Sequence, residues 1–175
     1  ENLLDQQFSP TAPNQVWVTD ITYIPTNEGW LYLAGLKDLF SCEIVGDAMG
    51  DRMTQELTAR ALCRAVQQQR PPQGLIHHSD RGSQYCAHDY RALVDQFGLR
   101  ASMSRKGNCY DSAPMESFWG SLKNALVHHR RFATRAFRRP VDDATVTRLV
   151  GFAMDSAAVP GGNFERGIGK AITAV

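Results

Sequence analysis

No Cys-x-x-Cys pair occurs among the four cysteines, Cys42, Cys63, Cys86 and Cys109, and each lies more than twenty positions from the next. That spacing excludes a zinc knuckle or a dithiol redox motif and suits a reducing cytoplasm. No run approaches the roughly 18 to 20 consecutive apolar residues that a membrane span requires. The N-terminus lacks the basic-then-apolar layout of a signal peptide, so no membrane partner is expected. The chain starts at Glu1 rather than methionine, and a fragment or a processed chain is the expectation. Low-complexity tracts are missing too. With 43% hydrophobic and 21% charged residues over 175 positions, the composition is that of one soluble, folded domain.

A large net charge is also absent: the formal value is +1. Its distribution is uneven, however. Residues 1–98 carry seven Lys and Arg against twelve Asp and Glu, whereas residues 99–139 carry nine against two. A protein that holds metal at one edge and phosphates at another has this asymmetry, and so has one with a solvated basic helix face.

Val16 to Ile24 (VWVTDITYI) is rich in β-branched and aromatic residues and reads as a strand, with Trp30 to Leu39 and Glu43 to Met49 as two more. The connections Asn27-Glu28-Gly29 and Phe40-Ser41-Cys42 are short enough for hairpins, which makes the three strands antiparallel. Thr54 is placed to cap a helix carrying Leu57, Ala61, Leu62, Ala65 and Val66, and Pro71-Pro72 stops it. Leu75 to His78 suits a short buried strand that runs into the polar loop from Ser79 to Ser83. A helix from about His88 to Phe97 closes at Gly98, and a fifth strand follows from Leu99 to Met103. After a loop containing Gly107-Asn108, a helix spans Ser112 to about His129, with Phe118, Leu122 and Leu126 along one side. The order β-β-β-α-β-α-β-α implies an α/β fold: a mixed five-stranded sheet, three antiparallel strands and then β-α alternation, flanked by helices. This is the ribonuclease H type if its acids converge.

Three acids occupy chemically suggestive positions. Asp20 lies inside a strand whose neighbours favour burial, where an unpaired carboxylate costs several kcal/mol unless a cation compensates it. Asp80 follows an apolar strand, at the carboxyl edge where open α/β sheets bind ligands. Glu116 lies near the start of the last helix, 35 residues beyond Asp80. Taken singly, Asp80 is also an ordinary turn residue and Glu116 an ordinary first-turn acid. Together, three carboxylates without His or Cys partners suit Mg²⁺ or Mn²⁺. Two such ions about 4 Å apart serve in-line phosphoryl displacement.

The stretches VWVTDITYI, WLYLAGLKDLF, GLIHHSDRGSQYC and SMSRKGNCYDSAPMESFWGSLKN resemble the integrase-type catalytic core of the insertion-sequence-three family of bacterial transposases, related to retroviral integrases. The likeness runs from about Asn14 to Thr134. It implies that Asp20, Asp80 and Glu116 are the catalytic, metal-binding triad. It further implies two Mg²⁺ (or Mn²⁺) ions, nicking of transposon DNA ends, and attack of the 3′-hydroxyl on another phosphodiester. The partners it implies are transposon-end and target DNA, further copies of the chain assembled on DNA, and an upstream helix-turn-helix region of the same element. The implied setting is a bacterial cytoplasm, at the nucleoid.

Lys106, Asn108, Lys123, Arg130 and Arg131 are the candidate DNA contacts, Lys123 lying two turns beyond Glu116. An exposed helix lysine and a solvated helix end are the plainer readings. His77 and His78, adjacent on a strand, point to opposite faces and are expected to support the structure rather than share a metal. Trp17, Trp30, Tyr32 and Trp119 are expected in the core or in strand pairs rather than as base-stacking platforms. Residues 1–13 read as a linker or extension, 14–134 as the core, and 135–175 as a divergent, frameshifted or foreign tail. Two smaller departures from the family pattern are Ser112, where Asn is usual, and Cys42, where Gly is common. The altered tail keeps a catalytically impaired DNA-binding remnant open as an alternative, beside another ribonuclease H-like nuclease.

Overall fold

The computed structural model describes residues 1–26, 29–105 and 112–124. Its strands are β1 (Val16–Thr26), β2 (Gly29–Asp38), β3 (Ile44–Gly50), β4 (Ile76–Ser79) and β5 (Arg100–Met103). Its helices are α1 (Gln55–Gln69), α2 (Ser83–Cys86), α3 (His88–Gln96) and α4 (residues 113–124). The five strands form one sheet in the order β3-β2-β1-β4-β5. β1, β2 and β3 pair antiparallel as a meander, and β4 and β5 add in parallel on the other side of β1. The expected mixed sheet is therefore present, its strand limits moved by one or two residues.

Each face of the sheet has its own core. Val16, Val18, Ile24, Leu33 and Ile44 pack with Met115, Trp119 and Leu122 of α4 on one face. Trp17, Ala34, Leu36 and Val45 pack against α1 and against Tyr85, Tyr90 and Val94 on the other. The buried stripe of α4 is thus Met115-Trp119-Leu122, at helical spacing; Phe118 is only half-buried and Leu126 lies outside the described residues. The bulkier indole wins the inward position because Gly35 on β2 leaves room for it: a Cβ there would sit 2.8 Å from the Trp119 ring. α1 comes closer still to the other face at Gly46 of β3.

Local chemistry sets the boundaries. Thr54 caps α1, its hydroxyl accepting from the Leu57 amide at 3.3 Å. The helix ends at Arg70 in the left-handed conformation, ahead of Pro71-Pro72. Buried Asp38 organises the β2–β3 connection. Its carboxylate accepts from the amides of Asn14, Phe40 and Ser41 at 2.6, 2.9 and 2.9 Å. The same turn holds Cys42 at φ +61°, a conformation glycine adopts without strain. Cys42→Gly is therefore expected to raise the unfolding free energy by about 0.5 to 1 kcal/mol, measured by urea titration; a loss of stability would contradict the strain.

The segment from Ser79 to Ser83 is a loop as expected, but a short helix, α2, follows it before α3. It is built around Tyr85, whose buried hydroxyl lies 3.2 Å from that of Thr19 on β1. Residues at the N-terminus dock on the sheet: Leu4 is buried, and the Glu1 carbonyl accepts from the Met103 amide. An ion pair between Asp5 and Arg105 secures the same region. A cleft of about 340 Å³ opens beside this segment at the amino ends of β1, β4 and β5, lined by residues that include Gln7, Asn14, Pro72 and Arg100. Among the described residues, no helix is long and apolar enough to cross a membrane.

Candidate active site

Strand register brings the first two acids together. β1 and β4 run parallel, with Val16 aligned to Ile76, Trp17 to His77 and Val18 to His78. Two residues further on, the ladder having ended, come Asp20 on β1 and Asp80 just past β4, close enough for the charge of Asp80 to be felt at Asp20. The two carboxylates thus stand at the mouth of the crevice between the strands.

Glu116 comes from α4, which lies on the sheet face of Val16 and Val18, and its side chain is exposed. Its neighbour Trp119 ties the helix to β1: the indole Nε1 donates to Asp20 Oδ2 at 3.1 Å. Asp20 Oδ1 accepts from the Ile21 amide at 2.7 Å, and Asp80 Oδ1 accepts from the Gly82 amide at 2.9 Å. Gly35 lies opposite Asp20 in the β1–β2 register, so the missing side chain that admits the indole is also what lets it reach the carboxylate.

Burial, aided by the charges of Asp80 and Glu116, pushes the Asp20 carboxyl up to about 6 against the pull of the Ile21 and Trp119 hydrogen bonds. All three acids therefore share one electrostatic neighbourhood. Among the described residues, no three His, Cys, Asp or Glu side chains close around a common metal position. The donor set is still all oxygen, and like charges gathered at a half-buried carboxylate are what a hard divalent cation relieves.

The raised Asp20 pKa has a consequence for stability. The folded value lies above the ordinary 3.8, so the protonated form is favoured by folding. That contribution is complete below pH 3.8 and is lost as pH rises through about 6. Asp20→Asn removes the ionised form but gives up one accepting oxygen. Without metal at about pH 7.5 it is expected to stabilise the chain by about 1 to 2 kcal/mol, with the gain vanishing near about pH 4. Chemical denaturation at both pH values checks this, and an equal effect at both would refute the assignment.

Elsewhere the two histidines behave as the strand alternation requires. His77 Nε2 meets the Tyr90 hydroxyl at 2.9 Å on one face, and burial lowers its pKa to about 4. His78 bonds Ser102 and Ser104 at 2.8 and 3.2 Å on the other. Trp17 and Trp119 are buried, whereas Trp30 is exposed and pairs with Tyr23 across the hairpin. Lys123 sits over the Tyr23 ring at 4.7 Å. Lys106, Asn108, Arg130 and Arg131 lie outside the described residues, as does the tail. Sequence reasoning missed the roles of Gly35, Trp119 and Tyr85, because each depends on a partner far away in the chain.

The fold defines a class, and comparison with known proteins agrees. The integrase core domain pattern matches residues 10–109. The chain belongs to the integrase core domain family. It is 69% identical over 134 residues to the insertion element IS600 uncharacterized 31 kDa protein of Shigella sonnei, covering 77% of this chain and 49% of that one. It is 48% identical over 139 residues to transposase InsF for insertion sequence IS3A of Escherichia coli strain K12, covering 79% and 48%. The chain thus spans about half the length of these relatives. Among solved structures, a simian T-cell lymphotropic virus intasome in complex with PP2A regulatory subunit B56 gamma aligns with a TM-score of 0.65 at 21% identity, over 78% of this chain and 47% of that one. The HTLV-2 integrase catalytic core domain in complex with magnesium aligns with a TM-score of 0.55 at 16% identity, over 93% and 86%. At those identities the likeness concerns the fold, a ribonuclease H-like sheet with flanking helices.

Proposed function

We propose that this chain is the catalytic core of a transposase that nicks the ends of its element and joins the freed 3′-hydroxyl to target DNA. The observation that carries this reading is the β1–β4 pairing, which brings Asp20 and Asp80 together beside a helix carrying Glu116. In this reading Asp20, Asp80 and Glu116 hold Mg²⁺ or Mn²⁺, two ions together. When bound, such ions activate the attacking oxygen and neutralise the leaving one. The Trp119 and Gly82 donors orient the Asp20 and Asp80 carboxylates, and the paired backbones of β1 and β4 fix their separation. Lys123, with Lys106, Asn108, Arg130 and Arg131, contacts the DNA backbone, so affinity falls as salt rises. Assembly of several copies on paired ends, a helix-turn-helix region that supplies end recognition, and a place at the nucleoid complete the reading.

The test is nicking and strand transfer on a duplex carrying the element's end, in Mg²⁺ or Mn²⁺ and in chelator. Activity that requires the metal and prefers this duplex to an RNA–DNA hybrid supports the proposal. Preference for the hybrid would instead make the chain another ribonuclease H-like nuclease.

A further inference from the structure

The far half of the β1–β2 hairpin carries a surface that catalysis leaves unused. Among the described residues β1 pairs with β4 only through Val16–Val18, and the stretch from Ile21 to Ile24 runs on past the end of β4. Tyr23 and Trp30 are each 53% exposed there. Their rings meet edge to face with centroids 5.1 Å apart. The pairs Tyr23–Tyr32 and Pro25–Trp30 are two steps apart in register, which puts Tyr23, Trp30 and half-buried Tyr32 on one face.

One cation touches these rings, and two more lie by the end of β3, next to Tyr32. Lys123 Nζ lies 4.7 Å from the Tyr23 centroid. Gly50 pairs with Tyr32, and next to it exposed Arg60 donates to the Met49 carbonyl at 2.9 Å. Arg52 is exposed in the same turn, beside the exposed carboxylate of Asp51. Tyr23 stands three residues beyond Asp20, about 10 Å along the strand and by the alternation on the opposite face of β1, with Lys123 of α4 reaching its ring. Exposed rings interleaved with cations match an unpaired nucleic-acid strand, whose bases stack while its phosphates pair with Lys and Arg.

We propose that Tyr23 and Trp30 form a stacking platform for an unpaired base of the DNA end, with Lys123, Arg60 and Arg52 serving its phosphates. The proposal rests on the transposase reading for the identity of the DNA. Trp17 and Trp119 are buried, so Trp30 is the tryptophan whose emission and iodide quenching report on the surface.

The experiment compares a blunt duplex with the same duplex bearing a short single-stranded tail, with binding followed by anisotropy in chelator. The tail should tighten binding by about tenfold and quench or shield Trp30. Trp30→Ala and Tyr23→Ala should each lose that preference while keeping wild-type affinity for the blunt duplex, and Trp30→Phe should retain it. An unchanged preference in Trp30→Ala, or no preference in the wild type, overturns the platform. So does an acidic peptide that shields Trp30 as well as the tail does. Metal-dependent nicking of the blunt duplex is scored separately: nicking without a tail preference defeats the platform alone, and a tail preference without nicking defeats the catalytic reading alone.

Discussion

Asp80→Asn is expected to lower metal-dependent nicking and strand transfer by at least about 1,000-fold, the scale on which removing one member of a catalytic unit acts. The substitution preserves volume, and the amide oxygen can still accept from the Gly82 amide that now bonds Asp80 Oδ1 at 2.9 Å. What disappears is a negative charge at the mouth of the β1–β4 crevice. The thermal midpoint and the affinity for DNA in chelator should therefore hold while turnover collapses. Equal activity in both chains would sink the assignment of Asp80. Inactivity of both, with DNA binding intact, would favour the impaired remnant.

Gly46→Ala should be the most damaging change to the fold. A Cβ at Gly46 would lie 2.5 Å from the Ala61 carbonyl oxygen, 2.6 Å from Ala65 Cβ and 2.7 Å from the Ala65 amide nitrogen. Two of those atoms are α1 backbone, so no rotamer change relieves the clash and the helix itself must move. Overpacking of this kind costs about 3 kcal/mol, a large share of the roughly 5 to 15 kcal/mol that holds a domain folded. Calorimetry should show the midpoint falling by about 10 °C. Gly120 supplies the contrast: nothing lies within 4 Å of its added Cβ. Gly120→Ala should raise stability by about 1 kcal/mol through helix propensity. A Gly46→Ala chain as stable as the parent would mean that α1 does not press on β3 as described.

Much of the fold was legible because its signals are local. Alternation in VWVTDITYI, the Thr54 cap and the Pro71-Pro72 stop each depend on neighbours in sequence, and all five strands followed from such cues. The inward stripe of α4 was harder. Phe118 and Trp119 are both apolar, and what decides between them is Gly35, more than eighty residues away. Asp20 stood out as an acid inside an apolar strand and Asp80 as one just past the end of another, but what brings them together is a parallel strand pairing that no short stretch encodes. Trp30 was expected in the core or in a strand pair. It is in a strand pair, yet exposed, because it lies at the tip of the hairpin, beyond Tyr32 and Gly50 where the β2–β3 ladder ends.

The sheet joins its antiparallel meander to its β-α half through three aligned residue pairs, Val16 to Val18 with Ile76 to His78. Asp20 and Asp80 lie on the two sides of that seam, and Glu116 comes from a helix later still. During synthesis, a ribosome that has released only the meander has exposed Asp20 alone. A chain interrupted before α4 forms would have the sheet but not the third acid. On the proposed mechanism, cutting competence is thus withheld until the helix bearing Glu116 has been translated.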